Sequence, residues 1–125
     1  EVTREVIENF NLILLGSPSK NLLIKDLLPK TPAKLNAHGI ELDGKHFKGK
    51  LSLAMIYPNP LNPQKMVAFL TGNSKKMELL SLYALPLYSG SGIPHYMIFD
   101  LEVKQYGWGG VRVAGFFNEQ GKPEK

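Results

Sequence analysis

The stretch LSLAMIYPNPLNPQKMVAFLTGN, residues 51–73, decides which fold we predict for this chain. It holds two continuous apolar runs, 51–57 and 66–71, which are typical of strands buried on both faces of a sheet. The 8 residues between them include three prolines, too many for a helix, and a parallel crossover needs about a dozen residues or more. We therefore predict that the two runs pair antiparallel and form the centre of the sheet.

The composition is that of an average globular domain. Of 125 residues, 43% are hydrophobic and 21% are charged, which is enough to bury one core. The longest apolar runs fall far short of the roughly 20 residues that a membrane helix needs, so we predict no membrane span. The chain has no cysteine, which excludes disulfides and thiolate metal sites.

The net charge of +4 raises the question of nucleic-acid binding. The lysines are spread along the chain, and the densest group, Lys45, Lys48 and Lys50, has no recognition helix or stacking signature attached. The pattern therefore disfavours nucleic acid as a partner and favours a solvated, lysine-rich face.

The first residues predict that this chain is a piece of a longer polypeptide. Residue 1 is Glu rather than Met, and Val2, Val6 and Phe10 recur at helical spacing. We expect residues 1–9 to be the end of a helix that links to a missing parent, residues 10–118 to be a single domain, and residues 119–125 to be a frayed tail.

The first third of the chain predicts strand, loop and helix. Residues 11–15 form an apolar run, and after Gly16 leucines and an isoleucine recur at helical spacing until Pro29. Either Ser17, with Pro18 at the first helical position, or Ser19 could cap this helix. A helix that begins after a strand can also hold an anion, but the glycine pattern of a dinucleotide site is missing, which favours a plain capped loop.

Asp43 and Gly44 predict a hairpin turn between two short strands, because both turn positions require positive φ. The same region, residues 44–50, matches most of the phosphate-loop pattern G-x-x-x-x-G-K. A phosphate loop must follow a strand and open a helix, whereas this stretch lies in a hairpin and runs into the strand at 51–57. We reject it on that ground.

The second half predicts a βαβ unit. Residues 74–85 have an amphipathic helical pattern with Asn73 or Ser74 as the cap, and residues 96–99 form the next strand. Such a unit should be parallel and right-handed. Residues 111–117 close the sheet. The predicted fold is α/β, a single small mixed sheet of about five to six strands with this unit and flanking helices.

Ligands of open α/β sheets bind beyond the carboxyl ends of the parallel strands. That edge lacks a histidine that could serve a serine as general base, since His38 and His46 belong to the hairpin region and His95 begins its strand at the opposite edge. No G-x-S-x-G elbow and no metal-ligand spacing is present, so we predict no catalytic residue, metal or cofactor. The candidate ligand-binding residues at this edge are Ser17, Ser19, Asn73, Ser74 and Asp100.

Five motifs follow each other along residues 11–119: NLILLGSPSKN, DGKHFKGK, IYPNPLNPQKMVAFLTGNS, PHYMIFD and VRVAGFFNE. Their order resembles the C-terminal module of large bacterial secreted hydrolases of the prolyl-oligopeptidase or carbohydrate-esterase kind. The resemblance implies a module that accompanies a hydrolase domain without its catalytic triad, in an extracellular or periplasmic protein. His95 departs from the pattern, because that family more often has an Asp before the aromatic residue.

We therefore expect a noncatalytic accessory or interaction domain of a larger hydrolase-like protein, whose partners are the catalytic or other domains of the same polypeptide. The alternative is a small-ligand or carbohydrate-binding module that uses the strand-end loops with Tyr106 and Trp108. An independent enzyme would need a pocket that joins Asp100 with Ser17 or Ser74. The candidate docking loop consists of Asn59, Pro60, Asn62 and Pro63.

Overall fold

The computed structural model describes residues 11–17, 21–82, 95–100, 110–118 and 122–123. Among these residues it has two short α-helices and eight strands. The strands are β1 Leu12–Leu15, β2 Ala33–Asn36, β3 Gly39–Leu42, β4 Lys45–Lys48, β5 Ser52–Asn59, β6 Asn62–Gly72, β7 Tyr96–Phe99 and β8 Val111–Gly115. The helices are α1 Leu22–Leu27, which a 3-10 turn at Leu28–Lys30 continues, and α2 Lys75–Leu80. No helix within the described ranges is long and apolar enough to cross a membrane.

Five strands form a mixed sheet in the order β1-β6-β5-β7-β8, with β5 and β6 near its centre. The two strands pair antiparallel, from Ser52 opposite Gly72 to Asn59 opposite Asn62, which confirms the predicted pairing. Strand β1 runs parallel to β6, and β7 is antiparallel to both β5 and β8. Strands β1, β6 and β7 therefore run in the same direction.

The loop between the two strands is shorter than the predicted range 58–65, so the predicted loop length was wrong. Both strands continue into the proline-rich segment, so that only Pro60 and Leu61 form the turn. Proline suits extended backbone, and it is tolerated in a ladder where the pairing is irregular. The register shifts between Pro58 and Asn59, which is where the two strands accommodate their prolines.

Three strands form a second, antiparallel sheet in the order β2-β3-β4, so the prediction of a single sheet was wrong. The Asp43-Gly44 hairpin between β3 and β4 is confirmed, with φ of 49° and 86° at the two turn residues. Residues 44–50 lie in this hairpin and lead into β5, as predicted, whereas a phosphate loop would open a helix. Sequence patterns missed β2 because four residues are too few for alternation to be distinctive.

Asn21 caps α1, so the prediction of Ser17 or Ser19 as the cap was wrong. The Asn21 Oδ1 accepts hydrogen bonds from the backbone N–H groups of Leu23 and Ile24, at 3.0 and 3.4 Å. An asparagine two positions beyond Ser19 satisfies the same unpaired N–H groups that a serine would. Ser19 itself lies outside the described residues.

Ser74 caps α2, as one of the two predicted alternatives, because its Oγ accepts from the Met77 N–H at 3.3 Å. The α-helix ends at Leu80, earlier than the predicted 85, and residues 83–85 lie outside the described ranges. Strands β6 and β7 run in the same direction, but β5 lies between them, so they do not pair directly. The right-handedness of this crossover stays a prediction.

The main sheet is the middle layer of the described part, with a core on each face. Side chains of β5, β6 and β7 alternate between the two cores, as a pleated strand requires. On one face Leu53, Val67 and Ile98 pack with α1 and the small sheet. On the other face Ala54, Leu70, Met97 and Phe99 pack against Met77 and Leu80 of α2. The described residues are thus mostly sheet, and the α/β class is matched only loosely.

Two further predictions concern the ends of the chain. Residues 1–10, with the expected helix, lie outside the described residues. Tyr106 and Trp108, which the alternative ligand site would use, also lie outside them. After β8, Pro123 pairs with Phe117, and the Asn118 N–H donates to the Lys122 carbonyl at 2.7 Å. Two residues of the expected tail are therefore bonded back to the domain.

Candidate functional site

The candidate residues lie at two opposite ends of the main sheet. We call residues 16–17, 72–74 and 99–100 the strand-end edge, where β1, β6 and β7 terminate. We call residues 57–66, 95–96 and 115–117 the hairpin end, where β5 turns into β6. Ser17, Asn73, Ser74 and Asp100 lie at the strand-end edge, whereas the candidate docking loop lies at the hairpin end.

The Asn73 side chain joins the strand-end edge to the connection between the two sheets. Its Oδ1 accepts from the Leu51 N–H at 2.9 Å, and its Nδ2 donates to the Gly49 carbonyl at 2.8 Å. The Asn73 backbone N–H adds a bond to the Leu51 carbonyl at 3.2 Å. Both ends of this amide are thus bonded to backbone groups of the fold.

Asp100 is tied to the neighbouring strand. Its Oδ2 accepts from the Arg112 Nε at 2.8 Å, and its backbone N–H donates to the Gly110 carbonyl at 2.9 Å. The side chain of Asp100 is 16% exposed, so this ion pair is partly shielded from water.

The candidate residues at this edge are separated by the strand order. Strand β5 lies between Ser74 and Asp100, and both β5 and β6 lie between Ser17 and Asp100. With neighbouring strands about 5 Å apart, the strands that end in these residues are roughly 10 and 14 Å from each other. The topology therefore places these residues at one edge without bringing Asp100 beside either serine.

Thr71, next to the strand-end edge, is a feature that sequence patterns could not indicate. Its Oγ1 is a buried side-chain oxygen with no hydrogen-bond partner, the single such atom in the described residues. The residue is fully buried on the face of β6 that carries Val67 and Phe69. Threonine is common in strands, so nothing in the sequence distinguishes this one.

The hairpin end brings together three motifs that are distant in sequence. Phe117 packs against Tyr57 and Tyr96, with ring centroids 5.0 Å apart in each pair. His95 packs edge-on against Phe116 at 4.9 Å, and its Nδ1 accepts from the Phe117 N–H at 3.0 Å. The Nδ1 atom therefore carries no proton in this arrangement.

The candidate docking residues differ in what they present. Asn59 is fully buried, and its Oδ1 accepts from the Leu61 N–H at 2.9 Å, while the Asn62 Oδ1 accepts from the Gln64 N–H at 3.2 Å. Pro60 is half-buried and Pro63 is exposed. The exposed apolar residues at this end are Met66 and Phe116, at 38% and 41% exposure, and neither was predicted.

An apolar cavity of about 300 Å³ lies between α1 and β2. Sequence reasoning missed it because it depends on how the small sheet packs against α1. Its lining residues are Ile24, Lys25, Leu28, Pro29, Ala33, Lys34 and Leu35.

Metal ligands do not cluster within the ranges that the structure describes: no group of three or more His, Asp or Glu side chains there could hold an ion. The exposed His46 contacts the half-buried Glu41 across β3 and β4, with Nε2 and Oε1 3.3 Å apart. Two such groups are too few to hold a metal ion, and a side-chain contact at the surface contributes little to stability.

Comparison of the chain with models of known families, with curated proteins and with solved structures gives no match. The resemblance to hydrolase-associated modules therefore stays a prediction, and function rests on the geometry of the two ends.

Proposed function

We propose that this chain is a noncatalytic accessory or interaction domain of a larger, exported, hydrolase-like protein. The observation that supports this function most directly is the bonding of Asn73, Ser74 and Asp100 at the strand-end edge. Asn73 bonds the end of β6 to Leu51, Ser74 caps α2, and Asp100 bonds to Arg112 on the neighbouring strand.

Catalysis would need these groups in other arrangements. A general base must come within hydrogen-bond reach of the proton that it removes, and a serine nucleophile needs such a base as its neighbour. His95 precedes β7 and Asp100 follows it, so five steps of extended chain, roughly 17 Å, separate them. The Asp100 carboxylate is engaged by Arg112. These positions favour a structural role for both.

The hairpin end is the surface through which we propose that the domain contacts the rest of its polypeptide. Pro63, Met66 and Phe116 are exposed there, beside the cluster that Phe117 makes with two tyrosines. Apolar side chains on a rigid scaffold are typical of the centre of a protein interface. The asparagines at 59 and 62 hold the turn rather than face the partner.

The isolated 125 residues test this proposal in an assay with p-nitrophenyl esters, aryl glycosides and peptide anilides. We expect no turnover above that of buffer. Turnover that is lost on changing Asp100→Asn, with an unchanged circular dichroism spectrum, would overturn the proposal.

The alternative function is that of a small-ligand or carbohydrate-binding module. Titrating the intrinsic tryptophan fluorescence with oligosaccharides and nucleotides distinguishes it from the accessory domain. A purely structural domain gives no saturable change. A saturable change that Asn73→Ala abolishes, in a variant that remains folded, would favour the alternative.

A further inference from the structure

We propose that the free edge of β2 binds an extended acidic peptide segment, with an apolar side chain of that segment in the cavity between β2 and α1. This inference rests on the proposed function as an interaction domain, and it names the chemistry of a partner.

Among the described residues β2 is an edge strand, because the small sheet has the order β2-β3-β4. Asn36 and Gly39 close a two-residue turn, so this pair exchanges backbone hydrogen bonds, and along an antiparallel ladder such pairs alternate. Lys34 then bonds to β3, whereas the N–H and C=O groups of Ala33 and Leu35 point away from it. The Ala33 N–H already donates to Thr31 Oγ1 at 3.2 Å. Ala33 is fully buried, so the groups that can pair with an added strand are the N–H and C=O of Leu35, which is half-buried.

The cavity follows this edge. Three consecutive residues of β2, Ala33, Lys34 and Leu35, line it, although successive side chains of a strand point to opposite faces. Only a cavity alongside the backbone edge can reach all three. Its other wall is apolar, formed by Ile24, Leu28 and Pro29. At about 300 Å³ it is at the lower limit of typical ligand pockets and suits individual side chains.

The charge at the rim selects an acidic segment. Lys25 and Lys34 both line the cavity and are exposed, and within the described residues neither makes an ion pair. Glu41 stands opposite Lys34 in the register, but its carboxylate contacts His46. Carboxylates on an added strand would meet these ammonium groups. A second copy of the chain would bring its own lysines to the same edge, which disfavours self-association.

The test uses a synthetic peptide, acetyl-(Glu-Leu)3-amide, titrated into the ¹⁵N-labelled chain. We expect saturable shifts of the Leu35 amide and its neighbours on β2. A peptide with lysine in place of glutamate should not bind. N-methylation of the backbone amides that would pair with β2 should weaken binding at least tenfold, because each methyl group removes a ladder hydrogen bond.

Charge variants of the chain give a second readout. The double variant Lys25→Glu with Lys34→Glu should weaken the acidic peptide roughly tenfold or more, as reversal of two exposed charges predicts. The control is Lys75→Glu with Lys76→Glu on α2, two exposed lysines away from this cavity, which should change affinity less than twofold.

Three outcomes would overturn the inference: no shift at Leu35, equal binding of the N-methylated peptide, or equal weakening by both double variants. Binding of decanoate at the same residues, with the peptide inactive, would assign the cavity to a small amphiphilic carboxylate instead. The hydrolase assay is independent of these results. A chain that lacks turnover and ignores the peptide refutes only this inference, whereas turnover that Asp100→Asn abolishes refutes the proposed function.

Discussion

Single polar side chains connect the layers of this domain. Ser52 is fully buried, and its Oγ donates to the Met77 carbonyl at 2.6 Å, which joins β5 to α2. Asn73 joins β6 to the backbone at 49–51. Thr71 is the exception, since its buried Oγ1 has no partner in the part of the chain that the structure describes. A buried polar group stabilises a fold only when its hydrogen bond is made, so these neighbours should respond oppositely to substitution.

Thr71→Val should leave the free energy of unfolding unchanged or raise it by about 1 kcal/mol, because valine has the same shape and removes an unsatisfied hydroxyl. Ser52→Ala, the matched control, should lower it by about 0.5–1.5 kcal/mol, because the Met77 carbonyl loses one of its two donors and keeps only the Ser81 N–H. Urea denaturation followed by circular dichroism measures both. A loss of more than about 1 kcal/mol in Thr71→Val would show that the hydroxyl is bonded, for instance to a buried water.

His95→Ala should lower the free energy of unfolding by about 1–2 kcal/mol, since the Phe117 N–H loses its acceptor and two phenylalanine rings lose a neighbour. His38→Ala is the control at an exposed hairpin turn and should change stability by less than about 0.5 kcal/mol. Thermal melts of the three proteins provide the comparison. Equal effects of both substitutions would contradict the proposed role of His95 in holding the chain end.

Among the secondary-structure elements, both helices are short, so their caps and their close packing define where they lie. Helices of six residues are not stable in isolation. Helix α2 crosses the end of β6 so closely that a Cβ on Gly72 would lie 2.6 Å from the Met77 Cβ. Asn21 both caps α1 and donates from its Nδ2 to the Leu15 carbonyl at 3.0 Å, which fixes α1 to β1.

Asn21→Ala should lower the free energy of unfolding by about 1–2 kcal/mol, because α1 loses its cap and the link to Leu15. Asn21→Asp keeps an acceptor for the Leu23 and Ile24 N–H groups and loses only the donor. It should therefore retain most of the stability. Chemical denaturation of both variants measures the difference. If aspartate costs as much as alanine, the bond to Leu15 outweighs the cap.

At the scale of the whole molecule, one sheet supports two cores. Strands β5 and β6 contribute side chains to both faces, so neither core can come apart without disturbing the same central ladder. We expect the domain to unfold in a single cooperative transition, as small domains usually do.

Leu53→Ala in one core and Leu70→Ala in the other should each lower the free energy of unfolding by about 2–5 kcal/mol, since both leucines are fully buried. Far-ultraviolet and near-ultraviolet circular dichroism should give the same midpoint in each variant. The control Leu79→Ala, at a leucine that is 62% exposed on α2, should stay within about 0.5 kcal/mol of the wild type. Separate midpoints for the two signals would indicate that the cores unfold independently.

Local patterns determined much of the chain. Continuous apolar runs predicted the central strands, a linker too short for a crossover predicted their antiparallel pairing, and Asp43-Gly44 predicted its hairpin. These features depend on burial and on backbone preferences within a few residues. The edge position of Ser17, Asn73, Ser74 and Asp100 also followed from strand direction.

Tertiary structure alone decided the rest. Contacts between segments distant in sequence decide that the strands form two sheets and that β5 lies between β6 and β7. The helix cap is Asn21, although the local pattern suited Ser17 and Ser19 equally well. The partners of Asn73 and Asp100, the unpaired hydroxyl of Thr71 and the cavity beside β2 exist only once the layers are packed. A hydrogen bond or a cavity is a relation between segments, and the sequence specifies it only through the whole fold.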